Sequence, residues 1–337
     1  MSETLRVAVI GAGRMGADHI KRLSTRIHGA EVAAVVDVDM QRAQAAIAGI
    51  PGAVALSDAR EALDNGDVNA VLIATPGFLH EDILLAAIAK DIPVLCEKPL
   101  TTDAASSWRI VQAEAELGRK RVQVGFMRRF DADYAALGEI IRGESLGGML
   151  MLHCVHRNPD TPPGFTNEML ITDSVVHEFD IIRFLVGAEI TSVQVRLGKA
   201  TKNASNGQHD PQHVLIETES GVLADVEIFV NAQFGYEVAT QAVFEQGVVN
   251  IGGDNGPYVR TAGRWGGTIP PGFEERFEAA YDVEVQAWVD AAAQGNLGGP
   301  SAWDGYATAA CCEAGVKAQK NGDKVAVALN PKPFLYS

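Results

Sequence analysis

Three residues in the middle of the chain have the types and spacing for acid–base chemistry: Asp173, His177 and Asp180, within residues 172–180. On an α-helix, positions four and seven apart share a face. These three would then form a polar stripe opposite the apolar stripe of Val175, Phe179, Ile182 and Val186. A carboxylate one turn from an imidazole can hold its tautomer and stabilise its protonated form, which a general base taking a proton from an alcohol requires. A solvated helix face with an idle histidine has the same pattern, so the stretch needs other reacting groups elsewhere in the chain to become an active site.

The first such group is a glycine turn, Gly11-Ala12-Gly13-Arg14-Met15-Gly16, which follows the apolar, β-rich run 5–10 and opens a helical pattern reaching residue 26. Gly11 permits the tight turn, Gly13 lets the backbone approach a pyrophosphate, and Gly16 lets the helix pack on the strand. The main-chain N–H groups around Arg14 and Met15 would face the phosphates at the helix N-terminus. A second apolar run, 32–36, ends in Asp37, at about the 20-residue distance where an acid accepts from the adenosine ribose hydroxyls. An acid there repels a 2′-phosphate, which selects NAD over NADP, although Arg42 close by keeps NADP open.

Strand and helix patterns then alternate as far as residue 126, which predicts a parallel sheet covered on both faces, a doubly wound Rossmann domain. Ligands of such sheets lie beyond the carboxyl ends of the strands. Thr75-Pro76, Glu97-Lys98-Pro99 and Met127-Arg128 therefore become candidates. Lys98 stands out, because a lysine at that edge can put a cation beside a nicotinamide and donate to a substrate oxygen.

Beyond residue 125 the alternation gives way to strands in succession, at 149–157, 191–198, 214–219, 223–230, 239–244 and 248–251, with a glycine-rich turn at 252–256. Helical patterns return at 274–293 and 304–319. The expected organisation is a nucleotide-binding domain over 1–124 and an α+β domain over 125–337. The proline-rich loop 158–164 reads as a rigid lip or a plain connector.

Composition narrows the function classes. With 28 Lys and Arg against 43 Asp and Glu, a net charge of −15 argues against a nucleic-acid or anionic-membrane partner. The start of the chain has no secretory pattern, and the run 5–10 is too short for a membrane span, so the expected compartment is the cytoplasm. Cys96, Cys154, Cys311 and Cys312 lack C-x-x-C spacing and read as reduced core thiols. On a strand, Cys154 and His156 face one way and His153 the other, so no metal site is expected there.

The glycine turn, Asp37, Thr75-Pro76-x-x-x-His80, Glu97-Lys98-Pro99 and Asp173-x-x-x-His177-x-x-Asp180 together resemble the glucose–fructose oxidoreductase, inositol dehydrogenase and MocA (Gfo/Idh/MocA) family, across nearly the whole chain. The resemblance implies an NAD-binding Rossmann domain followed by a domain on a large open, mostly antiparallel sheet carrying the substrate site and the oligomer interface, with a tetramer as the assembly. It adds His80 and Glu97 to the cofactor contacts. Within the family the pattern is similar to the members that oxidise inositol. That similarity assigns Met127, Arg128, His156, Asn158 and Tyr236 to hold the hydroxyls of a cyclic polyol, with Lys98, Asp173 and His177 as the catalytic set. Gly77 departs from the Asn or Ser common in the family at that place. Two alternatives stay open: a related sugar or sugar-acid dehydrogenase, and a non-catalytic NAD(H) sensor.

Overall fold

A computed structural model describes residues 4–205, 207–253 and 259–337. The chain divides into two compact units. The first is Met1–Phe126 with Tyr281–Ala309 and Leu329–Ser337, the second Met127–Ala280 with Ala310–Ala328.

The first unit runs β1 (Leu5–Ile10), α1 (Arg14–Thr25), β2 (Ala30–Val36), α2 (Met40–Ala46), β3 (Val54–Leu56), α3 (Ala59–Asp64), β4 (Ala70–Ile73), α4 (His80–Ala89), β5 (Val94–Glu97), α5 (Ala104–Leu117) and β6 (Val122–Gly125). Its sheet is parallel throughout, in the order β3-β2-β1-β4-β5-β6. β1, β4 and β5 are almost wholly buried because helices cover both faces, which accounts for their continuous apolar runs. The order reverses between β1 and β4, where a doubly wound sheet opens a crevice for a ligand.

The second unit contains α6 (Ala132–Arg142), β7 (Met149–Arg157), α7 (Val176–Val186), β8 (Ile190–Leu197), β9 (Gln212–Thr218), β10 (Leu223–Phe229), β11 (Glu237–Phe244), β12 (Gly247–Ile251), β13 (Val259–Thr261) and β14 (Arg264–Gly266). The helix α8 (Phe273–Ala293) starts in this unit and ends in the first. α9 (Ala302–Asn321) starts in the first and ends here, before β15 (Val325–Ala326). The seven-stranded sheet has the order β12-β11-β7-β10-β9-β8-β15. All its pairs are antiparallel except β7 with β10. Its strands alternate buried and accessible positions, as a sheet with one covered face does. On the covered face, a Cβ at Gly315 of α9 would come within 2.8 Å of Ile171 and 3.5 Å of Phe179. On the other face Leu223, Met151, Val243 and Val248 pair across four strands in one apolar row. The turn expected over 252–256 runs into residues 254–256, which lie outside those described.

The boundary expected near residue 125 needs correction, because assigning everything beyond it to one domain omits the segments that return to the first unit. The reason is burial. Leu5, Val7, Val9, Ile20, Leu23 and Val35 form one core cluster with Val285, Trp288 and Val289 of α8, so the apolar surface that completes this core is encoded far downstream. Trp288 is completely buried. Trp288→Ala should destabilise the first unit by about 3–5 kcal/mol, the usual cost of removing a buried tryptophan. Urea unfolding followed by circular dichroism checks this, and an unchanged midpoint would mean that α8 does not close that core.

Candidate active site

Two groups of residues carry chemistry, one in each unit. In the first unit, Gly11 has φ +98°, and a Cβ there would lie 2.7 Å from the carbonyl oxygen of Ala74. A Cβ on Gly16 would stand 1.8 Å from the Gly11 carbonyl oxygen. Both positions therefore admit glycine alone. Gly13 differs, since a Cβ there would meet nothing within 4 Å, so the loop surface before it is open. α1 starts directly after Gly13 with no side-chain cap and no acid in its first turn, so the positive end of its dipole suits an anionic ligand beside Arg14 and Met15.

Asp37 ends β2 and is buried. It accepts from the main-chain N–H of Ala12 and of Asp39, each at 2.9 Å, and Arg42 Nη1 lies 3.2 Å from its Oδ2. Burial alone would raise its pKa, but these hydrogen bonds and the guanidinium outweigh it and hold the carboxyl below its ordinary range. The carboxylate is thus charged and fixed against the glycine loop. Arg42 is engaged by Asp37 and Asp39 rather than held out toward a phosphate.

Past β4 and β5 the expected contacts sort into two kinds. Thr75 has a buried Oγ1 with no hydrogen-bond partner among the described residues, a group that a bound ligand would satisfy. Pro76, beside it, is exposed. Lys98 is half-buried and follows β5, and the peptide joining it to Pro99 is cis. His80 and Glu97, expected at the cofactor, point inward instead. His80 is fully buried, with Nε2 2.8 Å from the Thr75 carbonyl and Nδ1 2.9 Å from that of Pro99, so it braces the two loops against each other. Glu97 turns its carboxylate to the buried His19 Nε2 at 2.8 Å and accepts from the Lys98 N–H at 3.3 Å. Gly77 also gains a reason: a Cβ there would press to 3.1 Å on the Pro99 ring.

In the second unit the helix expected over 172–180 departs from the simple stripe. Residues Leu170–Val175 form a π-helical turn that runs directly into α7. Asp173 therefore lies in π geometry and His177 in α geometry, and such turns occur often at functional sites. α7 is also buried on nearly all sides rather than carrying one chemical face. Asp180, expected beside His177, is 1% exposed and is bound by Arg129, whose Nε donates to Oδ2 at 2.9 Å. It is a structural ion pair.

His177 packs near a second imidazole. The rings of His156 and His177 are 6.4 Å apart, and those of His156 and Tyr236 6.2 Å apart, while Tyr236 stands edge-on to Phe277. Burial pushes the Tyr236 hydroxyl up to about 12, against the pull of Arg128. Met127 and Arg128 open a short 3-10 turn and are both buried. Arg128 departs from the expectation of a cation held out to substrate. Its Nη1 donates to Glu178, and its Nη2 lies 3.2 Å from His156 Nδ1. Its Nε, like Oδ1 of Asn158, is buried without a partner among the described residues. His156 and Asn158 are two apart on β7 and its extension, so they share a face.

Glu178 and His19 were not singled out from the sequence. Burial alone would raise the Glu178 carboxyl, but Arg128 and His156 hold it down to about 2. A signal for it exists: Glu178 lies between His177 and Phe179, with Val175, Val176, Ile181 and Ile182 close by, and an acid there must be paired if that helix is buried. His19, on the helix after the glycine turn, had no such marker.

Comparison with known proteins agrees with both halves. Residues 5–126 match the model of an oxidoreductase family with an NAD-binding Rossmann fold, and residues 134–250 that of the GFO/IDH/MocA C-terminal domain. The chain is 80% identical to an inositol 2-dehydrogenase of Arthrobacter sp. (strain FB24) and 81% identical to one of Pseudarthrobacter chlorophenolicus, in each case over all of both chains. Its fold is similar to the crystal structure of myo-inositol dehydrogenase from Lactobacillus casei in complex with NAD(H) and myo-inositol. There the TM-score is 0.96 and the identity 35%, covering 99% of this chain and 100% of that one. The chain belongs to the Gfo/Idh/MocA family of NAD-dependent oxidoreductases.

Proposed function

We propose that the protein is an NAD-dependent dehydrogenase that oxidises myo-inositol at one ring carbinol to the 2-keto product. The observation that carries the substrate class is that the second unit holds both a buried donor, Arg128 Nε, and a buried acceptor, Asn158 Oδ1, that have no hydrogen-bond partner among the described residues. A hydroxyl group both donates and accepts, so a ring bearing several of them satisfies such a set, whereas a carboxylate or phosphate offers acceptors only. The names of the relatives support the same reading.

NAD, when bound, supplies the acceptor for the hydride that leaves the carbinol carbon. The glycine loop and the N-terminus of α1 would hold its pyrophosphate, Asp37 its ribose, and Thr75 and Pro76 would border it. His177 removes the proton of the reacting hydroxyl, and Asp173 orients and stabilises the imidazolium that results. Lys98 stabilises the negative charge developing on the oxygen. Arg128, His156, Asn158 and Tyr236 hydrogen-bond the remaining hydroxyls, with Met127 next to Arg128 in the same turn. The reaction takes place in the cytoplasm on this reading, which rests on four free, buried cysteines. Among the described residues no helix is long and apolar enough to cross a membrane.

The assembly is proposed to be a tetramer through the accessible face of the large sheet. Leu223 and Val248 are exposed there, while charges on that face are compensated locally, as Arg157 is by Glu227 and Glu237. Local pairing reduces the repulsion that a chain of net charge −15 brings to a contact with its copy.

Three outcomes are expected. In a turnover screen, myo-inositol with NAD should give the highest efficiency among polyols, aldoses, 2-hydroxy acids and sugar phosphates. NADP should be poorer by about tenfold or more, roughly 1.4 kcal/mol, for want of the Asp37 contact. A better acidic substrate would sink the polyol assignment, and NADH binding without any turnover would favour the sensor. His177→Ala should lower turnover by roughly a hundredfold to ten-thousandfold and leave NADH binding near normal. Asp173→Asn should cost less and combine non-additively with it. Near-normal turnover in His177→Ala would place the base elsewhere. Sedimentation should give the mass of four chains, with Leu223→Lys dissociating them, and a monomeric wild type would refute the assembly.

A further inference from the structure

Glu178 takes no part in the proton transfer proposed above, yet it organises the groups assigned to substrate. It is 1% exposed. One carboxylate oxygen accepts from Arg128 Nη1, and the other lies 3.1 Å from His156 Nδ1. Arg128 Nη2 approaches that same ring nitrogen to 3.2 Å. A guanidinium only donates and a carboxylate only accepts, so Nδ1 can form a hydrogen bond with just one of them. If Nδ1 carries the proton it bonds to Glu178, and Nε2 is left as an acceptor. If Nδ1 is bare it takes the bond from Arg128, and Nε2 becomes a donor. Either bond is charge-assisted, but Arg128 already has one carboxylate oxygen as its partner while the other oxygen of Glu178 has His156, so the first arrangement prevails. The cluster then holds one cation, one anion and one neutral ring, with no net charge.

We propose that Glu178 is a positioning and specificity-determining residue. It holds His156 with Nδ1 protonated, so that Nε2 accepts from a substrate hydroxyl, and it cancels the charge of Arg128, so that the pocket takes a neutral polyol and refuses an anionic one. The inference rests on the polyol reading above. Without the carboxylate, Arg128 would be a buried, uncompensated cation, a state costly enough that a small anion would be drawn in to neutralise it. His156 would at the same time turn to Arg128 and present a donor where the substrate expects an acceptor. A merely structural Glu178 would change stability but would not change which charge the pocket admits.

The test is Glu178→Gln, which keeps the shape and removes the charge, assayed with NAD saturating so that the glycine loop offers no second anion site. KM for myo-inositol should rise by about tenfold, the worth of one hydrogen bond to a charged group, with a smaller change in kcat. Inorganic sulfate, inert toward the wild type, should become a competitive inhibitor against myo-inositol. The paired variant Arg128→Met with Glu178→Met removes both charges, and apolar replacement of a whole buried pair is usually tolerated, so it guards against misfolding of the single variant. It should show the raised KM without inhibition by sulfate. An unchanged KM in either variant, or sulfate acting equally on wild type and Glu178→Gln, overturns the proposal. Failure of the wild type to oxidise myo-inositol would sink only the substrate assignment. Sulfate binding to Glu178→Gln, measured by calorimetry with NADH saturating, would then still decide the role of the charge.

Discussion

A charge buried beside apolar side chains must find its opposite, and two of the ion pairs of α7 meet that requirement on one short turn. Glu178 pairs with Arg128, and Asp180 pairs with Arg129. Pairs of this kind add little net stability over apolar residues of the same volume, but losing one partner costs about 3–5 kcal/mol, so they allow very few alternative arrangements. Two adjacent arginines on a 3-10 turn and two acids on one helix thereby set the register between that turn and α7. His156, caught by Glu178, is set by the same constraint. The polar cluster of the second unit inherits its geometry from these pairs more than from the loops around it.

The first unit solves a different problem by close approach. Contacts that would put a Cβ 1.8 Å from a carbonyl oxygen at Gly16, or 2.7 Å at Gly11, exclude any side chain there and let the main chain pack directly on its neighbours. The carboxylate of Asp37 is then tied to the Ala12 N–H, so the turn and the end of β2 form one rigid surface. Behind Lys98, His80 and Glu97 do similar work from the interior. Each directs polar atoms to neighbouring loops or helices.

His177 and Asp173 show how local geometry can alter what a spacing means. Four residues on an α-helix return a side chain to the same face, but the π-helical turn Leu170–Val175 widens the coil just before α7 begins. The two residues are carried on different backbone geometries within one continuous segment. Burial of α7 on nearly all sides then converts the third member of the expected stripe, Asp180, into half of an ion pair.

Local signals were enough for much of this protein. The glycine turn, the acid at the end of β2, the alternation of strand and helix, and the strands that follow residue 125 are legible because each is set by residues near one another in sequence, through backbone freedom or through side-chain period. Only the tertiary structure decided the rest. Arg128 meets Glu178 across 50 positions and His156 meets it across 22. Trp288 closes a core begun at Leu5. His80 and Glu97 face inward because their partners lie on other elements. No periodicity encodes such meetings, since the cost of burying a polar or charged group is settled by whichever distant residue the fold brings to it.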